Sequence, residues 1–210
     1  MQPRAQTPFP AFDGWFAQDG YGKLLLLPCF YALVPVPEAC ERILRIGKEK
    51  AASLLLDWSS AGQRNPHVSI CAIDTRISAR GPPDVIRHAA AAVRIDPFDV
   101  VFDRIEAFPG KRERSPVVLR SDAETDARTQ KLCDSIRMMM RRVGIMVAPG
   151  SRITPHVTMF YDPLHRTLAE PIEPVCWRVS EFVLIRSHYG YATHEILGRW
   201  PLTNNGQTEH

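Results

Sequence analysis

The sequence contains one five-residue pattern twice, and its residues are of types that carry out acid–base chemistry. The copies are Pro66–Ile70 (PHVSI) and Pro155–Met159 (PHVTM), so each reads Pro, His, Val, a hydroxyl residue and an aliphatic residue. Side chains alternate between the two faces of a strand. We therefore expect the histidine and the hydroxyl of each copy to share one face, while the intervening valine points into the core.

Two such strands meeting across a cleft would bring two imidazoles and two hydroxyls into one small volume. Histidine has an unperturbed pKa of about 6.5, so near neutral pH one ring can accept a proton while the other donates one. Hydroxyl groups can donate hydrogen bonds to anionic oxygens. The pattern therefore indicates acid–base catalysis on a phosphate, with His67 and His156 as the catalytic pair and Ser69 and Thr158 as phosphate-binding residues.

The shared context of the two copies distinguishes them from a chance match. With 7 histidines in the chain and about one position in ten carrying a hydroxyl, roughly 0.7 H-x-[ST] triplets are expected by chance. A third triplet, His165–Thr167, lacks the preceding proline and the alternating apolar neighbours, and we interpret it as surface. His67 and His156 occupy equivalent positions of two halves, each with a strand and a long helix ahead of the histidine strand. This suggests a duplication with a pseudo-twofold axis.

The bulk composition is that of a globular protein with its own core. The chain has 210 residues, of which 45% are hydrophobic and 23% charged. Its net charge of +3 permits an anionic ligand but is far below that of a protein that wraps duplex nucleic acid. The five cysteines form no CxxC pair and have no histidine at metal-ligand spacing, which predicts reduced, buried thiols. We therefore expect a cytoplasmic protein without a metal or another cofactor.

The ends of the chain are predicted to lie outside its folded domain. Residues 1–22 mix proline, glycine and aromatic residues without a clear period, which predicts an irregular N-terminal extension. The apolar run at 24–34 is too short and too interrupted by proline to span a membrane, so we interpret it as a buried strand. A single bilobal domain is predicted for residues 23–203, followed by a flexible tail at 204–210. We expect this domain to act as a monomer with no membrane partner.

The hydrophobic periodicity predicts three helices and seven strands. The helices are predicted at residues 38–56, 82–94 and 123–143, the last capped by Ser121 or Asp122. The strands are predicted at residues 24–36, 67–74, 98–108, 116–120, 152–161, 175–187 and 194–202, and residues 58–65 are predicted to be a loop. Runs of strands mixed with separate helices indicate an α+β fold, with two pseudo-twofold-related lobes of mostly antiparallel sheet and flanking helices around a central cleft. The chain has no GxGxxG or Walker-type loop, which argues against Rossmann and P-loop nucleotide binding.

The paired motifs resemble those of the two-histidine (2H) phosphoesterase superfamily, and within it the bacterial 2'-5' RNA ligase family, also described as RNA 2',3'-cyclic phosphodiesterases. The resemblance extends over about residues 28–202 and includes FYAL at 30–33, the strand at 98–108 and FVLIRS at 182–187. Ser69 stands where the family more often has Thr, and Met159 stands where Leu is usual. Both keep the chemical character of the position. The resemblance implies two α+β lobes around a cleft, with one motif in each lobe.

The same resemblance implies hydrolysis of a 2',3'-cyclic phosphate at an RNA end or in a small cyclic nucleotide, and in reverse 2'-5' RNA ligation. By analogy His67 is the general acid and His156 the general base, although the reverse reaction exchanges these roles. Arg152 is a candidate phosphate ligand or a strand-end residue, and Tyr161 a candidate for stacking on a base or for packing at the rim. The alternative function is a non-catalytic RNA-end or nucleotide-binding protein that retains the fold.

Overall fold

The computed structural model describes residues 29–63, 65–73, 84–109, 114–145, 152–188 and 193–203. The predicted extension at 1–22 and the predicted tail at 204–210 lie outside the described residues. The helices of the described part are α1 (Pro37–Ser53), α2 (Trp58–Ala61), α3 (Asp84–Ala91) and α4 (Ala123–Arg142). Its strands are β1 (Cys29–Leu33), β2 (Val68–Ile73), β3 (Phe98–Ala107), β4 (Ser115–Ser121), β5 (His156–Asp162), β6 (Ala169–Val179), β7 (Glu181–His188) and β8 (Thr193–Pro201).

All of these strands belong to one sheet, in the order β6-β3-β4-β5-β2-β1-β7-β8. Each pair of neighbouring strands is antiparallel. The combination of this sheet with separate helices confirms the predicted α+β class. The two strands that carry the histidine motifs, β5 and β2, lie side by side in its centre.

The sheet consists of two halves that repeat the same order of elements. In one half the chain runs through β1, α1 and β2, and β1 pairs with β2. In the other it runs through β4, α4 and β5, and β4 pairs with β5. The halves meet where Val68 of β2 pairs with Val157 of β5. These are the central valines of the repeated pattern, so a pseudo-twofold axis passes between the two motifs.

The long helices cover one face of the sheet and form the core with it. Helix α1 packs on β5 and β6, and α4 packs on β2 and β3. The apolar residues of the motifs are buried in this core, namely Val68, Ile70, Val157 and Met159. The histidine and hydroxyl of each motif are only half-buried, as alternation predicts. The face opposite α1 and α4 is referred to below as the histidine face.

Each motif strand contains a β-bulge at the same position of the repeat. The pairing of β2 with β1 skips Ile70, and the pairing of β5 with β4 skips Met159. A bulge inserts one extra residue, so the side chains beyond it change face. In β5 both Met159 and Phe160 are consequently buried in the core, and the half-buried Tyr161 returns to the histidine face.

The prediction of a single strand over residues 175–187 is wrong. The structure has two strands here, β6 and β7, which are separated at Ser180. The alternation ends here at two adjacent polar residues, Ser180 and Glu181, but no glycine or proline marks the turn. Strand β6 also begins earlier than predicted, at Ala169. It includes Pro171 and Pro174, which are tolerated because β6 is an edge strand.

The predicted loop at residues 58–65 is wrong at its start, where the structure has α2. Asp57 caps this helix by accepting a hydrogen bond from the Ser59 amide at 3.0 Å. The Trp58 ring packs edge-on against Phe160 of β5 at a centroid distance of 6.5 Å. Four residues span about one helical turn, which is too short to produce a detectable period.

The N-terminus of α4 provides a test of local stability. The Asp122 carboxylate accepts a hydrogen bond from the Thr125 amide at 2.8 Å, so it is the cap among the two predicted residues. We expect Asp122→Ala to lower the free energy of unfolding by about 1 kcal/mol, because this amide loses its acceptor. Asp122→Asn should retain most of the stability, since asparagine caps helices equally well. Denaturant unfolding measures both effects, and an equal loss in the two variants would contradict the capping role.

Candidate active site

The two motif histidines make the same hydrogen bond in the two halves. The Nδ1–H of His67 donates to the Asn65 carbonyl at 2.9 Å, and the Nδ1–H of His156 donates to the Thr154 carbonyl at 2.7 Å. Each acceptor lies two residues earlier, immediately before a proline, where the backbone is restricted to extended conformations. In the neutral ring this bond places the proton on Nδ1 and makes Nε2 the basic nitrogen. Both rings are therefore oriented to exchange protons at Nε2.

The pairing of the two central valines sets the positions of four polar side chains. Continued by one residue in each direction, this antiparallel register puts His67 opposite Thr158 and Ser69 opposite His156. All four are half-buried. The structure thus brings the predicted catalytic residues and the predicted phosphate-binding hydroxyls onto one face, with each histidine facing the hydroxyl of the other motif.

Three further rings border the motif histidines, and the sequence did not identify them. Phe30 of β1 lies 5.3 Å from the His67 ring, measured between centroids, and Phe108, which follows β3, lies 4.9 Å from the His156 ring. The His194 ring of β8 lies 4.8 Å from that of His67 in an edge-to-face arrangement. Alternation along β1 could have placed Phe30 on the histidine face, but the strand order that brings β8 into the site is not readable from local sequence.

The surroundings of His67 favour its neutral form. Burial lowers the pKa of His67 from 6.5 to about 4. Its hydrogen bond to Asn65 acts in the opposite direction, whereas the charges of His194 and His156 lower the pKa further. The ring keeps some exposed surface but is surrounded by protein atoms on most sides. At pH 7 the ligand-free ring is neutral, which favours a base at His67 rather than the acid implied by the family resemblance.

The other two predicted site residues lie at the two ends of the second motif. Arg152 is exposed just before β5, and its charge helps to lower the pKa of Asp126 on α4. Tyr161 lies beyond the bulge of β5, with the Arg114 guanidinium 5.1 Å from its ring centroid. Tyr161 therefore shares the histidine face, whereas Arg152 lies near the N-terminal part of α4.

The third H-x-[ST] triplet lies away from the site, as predicted. His165 is exposed in the loop after β5 and has a left-handed φ of 51°. Its Nδ1 lies 2.8 Å from Ser115 Oγ. His165 belongs to the same triplet as the motif histidines but lies in a loop and not in a strand. A substitution at His165 can therefore serve as a control for substitutions at the motif histidines.

Metal-binding clusters, membrane-spanning helices and disulfides are absent from the described part of the chain. No three His, Cys, Asp or Glu side chains there are grouped closely enough to hold a metal ion. None of the helices described is long and apolar enough to cross a membrane. None of the five cysteines forms a disulfide. Cys29, Cys71 and Cys133 are buried, in agreement with the predicted buried thiols, whereas Cys176 is exposed.

The fold is similar to those of several solved proteins. A protein described as a phosphoesterase is 22% identical, with 85% of this chain and 99% of that chain covered and a TM-score of 0.63. TT0787 of Thermus thermophilus is 17% identical, with 85% and 100% covered and a TM-score of 0.64. E. coli LigT in complex with 3'-AMP is 19% identical, with 85% and 98% covered and a TM-score of 0.60. At these identities the similarity establishes the fold alone, which is LigT-like.

The sequence itself defines the family. No curated protein matches the chain in a sequence comparison. The family model of the 2'-5' RNA ligase superfamily matches residues 35–190, a range that includes both histidine motifs. The chain therefore belongs to the 2'-5' RNA ligase superfamily of two-histidine phosphoesterases.

The low pKa of His67 predicts how stability depends on pH. The unfolded chain takes up a proton here near pH 6.5 and the folded chain only near pH 4. The stability associated with the neutral ring is therefore complete above pH 6.5 and is lost as the pH falls towards 4. Over this pH range, we expect the free energy of unfolding of the wild type to fall by on the order of 2 kcal/mol more than that of His67→Asn, which has no titrating ring at this position. Urea unfolding from about pH 7 to about pH 4 measures the difference, and the same pH dependence in both proteins would contradict the shift.

Proposed function

We propose that this protein is a phosphoesterase that hydrolyses 2',3'-cyclic phosphates, at RNA ends or in small nucleotides, by acid–base catalysis of His67 and His156. The main support is the arrangement of two imidazoles and two hydroxyls about the pseudo-twofold axis, in a chain of the 2'-5' RNA ligase superfamily. E. coli LigT, which has a similar fold, has been solved with 3'-AMP. A nucleotide ligand of this type agrees with the proposal.

In the proposed reaction one histidine removes a proton from water, and the resulting oxygen attacks phosphorus. The phosphorus–oxygen bond to one ribose oxygen breaks as the other histidine protonates that oxygen. The first ring gains a proton and the second ring loses one. After the reaction the first histidine is therefore charged and the second is neutral. Because His67 is neutral in the ligand-free protein, we assign it the base role in hydrolysis and His156 the acid role. The two histidines supply both proton transfers, so the reaction as proposed requires no metal.

The hydroxyls are proposed to stabilise the charge that builds on the phosphoryl oxygens. In the strand pair Ser69 lies opposite His156, and Thr158 lies opposite His67. The hydroxyl protons can therefore be directed at a phosphoryl group bound between the two rings. We propose that Arg152 adds a positive charge at one end of the site and that Tyr161 contacts the base or sugar.

The same site can in principle join two RNA ends, with a ribose hydroxyl in place of water. The energy for that direction would come from the strained cyclic phosphate, since the sequence has no P-loop or Rossmann nucleotide-binding motif. In dilute solution water is the more abundant nucleophile, so we propose that hydrolysis dominates. We also propose that the protein acts as a monomer in the cytoplasm.

Removal of either motif histidine tests the catalytic assignment. We expect His67→Ala and His156→Ala each to lower kcat on a 2',3'-cyclic nucleotide by about a thousandfold, because one proton transfer is lost. Binding of the product should change little. His165→Ala is the matched control and should keep wild-type kcat and KM. Unchanged turnover in either motif variant would rule out the assignment.

The hydroxyls should contribute less than the histidines. We expect Ser69→Ala and Thr158→Val each to lower kcat by about tenfold to a hundredfold with a smaller effect on KM, because a donor that acts mainly in the transition state is lost. A rise in KM alone, with kcat maintained, would show that the hydroxyls bind substrate and transition state equally.

The pH profile and a substrate panel distinguish the enzyme from the non-catalytic alternative. The acid limb of kcat/KM should lie well below pH 6.5, since the proposed base has a lowered pKa. An acid limb near 6.5 or above would contradict His67 as the base.

Cyclic-phosphate-ended RNAs and mononucleotides, tested with a chelator present, would show which substrate is used and whether a 2' or a 3' phosphate is formed. Binding of these ligands without turnover would support the non-catalytic binding protein.

A further inference from the structure

A buried polar network surrounds the Pro155 carbonyl, directly before His156. An Nη1–H of Arg120 donates to this carbonyl at 3.1 Å. Ser121 Oγ lies 2.8 Å from the same carbonyl and 2.6 Å from Asp126 Oδ1, and it can donate its one proton to either. Arg120 also forms a bidentate ion pair with Asp126, with Nη–Oδ distances of 2.7 and 2.6 Å. The carbonyl is thus held by two side chains of β4, which Asp126 of α4 holds in turn.

The same helix holds the segment before His156 at a second point. The Gln130 Oε1 accepts a hydrogen bond from the Ile153 amide at 2.9 Å. Gln130 is one helical turn after Asp126, so both side chains lie on the same side of α4. The carbonyl that receives the His156 Nδ1–H belongs to Thr154, which lies between the two attachment points. The orientation of the ring therefore depends on a stretch of backbone that α4 fixes at Ile153 and β4 fixes at Pro155.

The network stays charged over the range in which histidines titrate. The side chains of Arg120 and Asp126 are 15% and 11% exposed. The hydrogen bonds to Asp126 raise the pKa of Arg120. Burial alone would raise the pKa of Asp126, but hydrogen bonds from Arg120 and Ser121 outweigh it and the pKa is lowered. A short ion pair of this kind has a defined geometry, because the guanidinium fork matches the carboxylate.

The positions in the other half that correspond to this network, all of them among the described residues, carry no carboxylate–guanidinium pair. The two halves can be aligned on the N-caps of their long helices, Asp122 of α4 and Val36 of α1. The strand pairing supports this alignment, because the partner of Thr158 in β4 and the partner of Ser69 in β1 lie the same number of residues before their caps. In this alignment the residues Arg120, Ser121 and Asp126 correspond to Val34, Pro35 and Cys40. None of the latter can form a carboxylate–guanidinium pair. The network is therefore not a requirement of the repeated fold but a property of the His156 half.

We propose that Arg120, Ser121 and Asp126 are positioning residues for His156. They fix the Pro155 carbonyl and with it the backbone to which the His156 ring is hydrogen-bonded. The ring is thereby kept in one tautomer with Nε2 directed at the histidine face, whereas the strand and helix before His67 carry no carboxylate–guanidinium pair at the corresponding positions. The kinetic consequence rests on the proposed function, but the structural consequence does not.

The test compares the tautomers of the two motif histidines by NMR. In protein labelled with 15N-histidine, two-bond 1H–15N spectra at about pH 8.5, which is about two units above the ordinary pKa of histidine, distinguish an Nδ1–H from an Nε2–H imidazole. We expect both motif histidines of the wild type to be Nδ1–H. In Ser121→Ala and in Arg120→Lys, His156 should shift towards a mixture of tautomers while His67 remains unchanged. In the same variants kcat should fall by about tenfold, with KM within about twofold.

The matched control is Glu170→Gln, which removes the Lys50–Glu170 ion pair between α1 and edge strand β6. This pair is similarly short at 2.6 Å but lies three strands away from β5. The control should change neither histidine nor kcat. The proposal is overturned if His156 keeps its wild-type signals in both folded network variants, or if His67 shifts equally. Should the wild type show no hydrolysis, the proposed function fails, while the NMR comparison still decides the role of the network.

Discussion

The arrangement of the site depends on the antiparallel pairing of β2 with β5 at the centre of the sheet. This pairing places Val68 opposite Val157 and buries both beneath the helices. Because the side-chain period of a strand is two, a slip of one residue in either strand would expose a valine and bury a histidine. The burial of the valines therefore specifies the register, and the register specifies which hydroxyl each histidine faces. Core packing and site geometry are two results of one constraint.

On this symmetric backbone the two histidines have different surroundings. His67 lies beside Phe30 and His194, and burial there favours the uncharged ring. His156 lies beside Phe108 and follows a segment held by a buried ion pair. A repeated unit alone would make two equivalent groups, whereas acid–base catalysis needs one ring with a proton and one without. The neighbours therefore make the two rings inequivalent without changing the motif strands.

The sequence predicted the features that depend on local periodicity. The helices at 38–56 and 123–143, the α+β class and the shared face of each histidine and hydroxyl all follow from periods of 3.6 and 2, and the structure confirms them.

The bulges at Ile70 and Met159 were not predictable in this way, because an extra residue in one strand is visible only against its partner strand. The turn at Ser180 was missed because it contains no glycine or proline, and only a break in the alternation at Ser180 and Glu181 marks it. The part of the site that came from distant strands was also not predictable. His194 reaches His67 through the strand order of the sheet, and nothing in its own neighbourhood resembles a motif.

An open sheet of eight strands has two edge strands, here β6 and β8, and the composition of β6 affects how molecules meet in solution. Pro171 and Pro174 lack the amide hydrogen that an added strand would need. A second sheet approaching this edge would find missing donors, which disfavours strand addition. The prolines that obscured β6 in the sequence are therefore the residues that protect the protein from edge-to-edge aggregation.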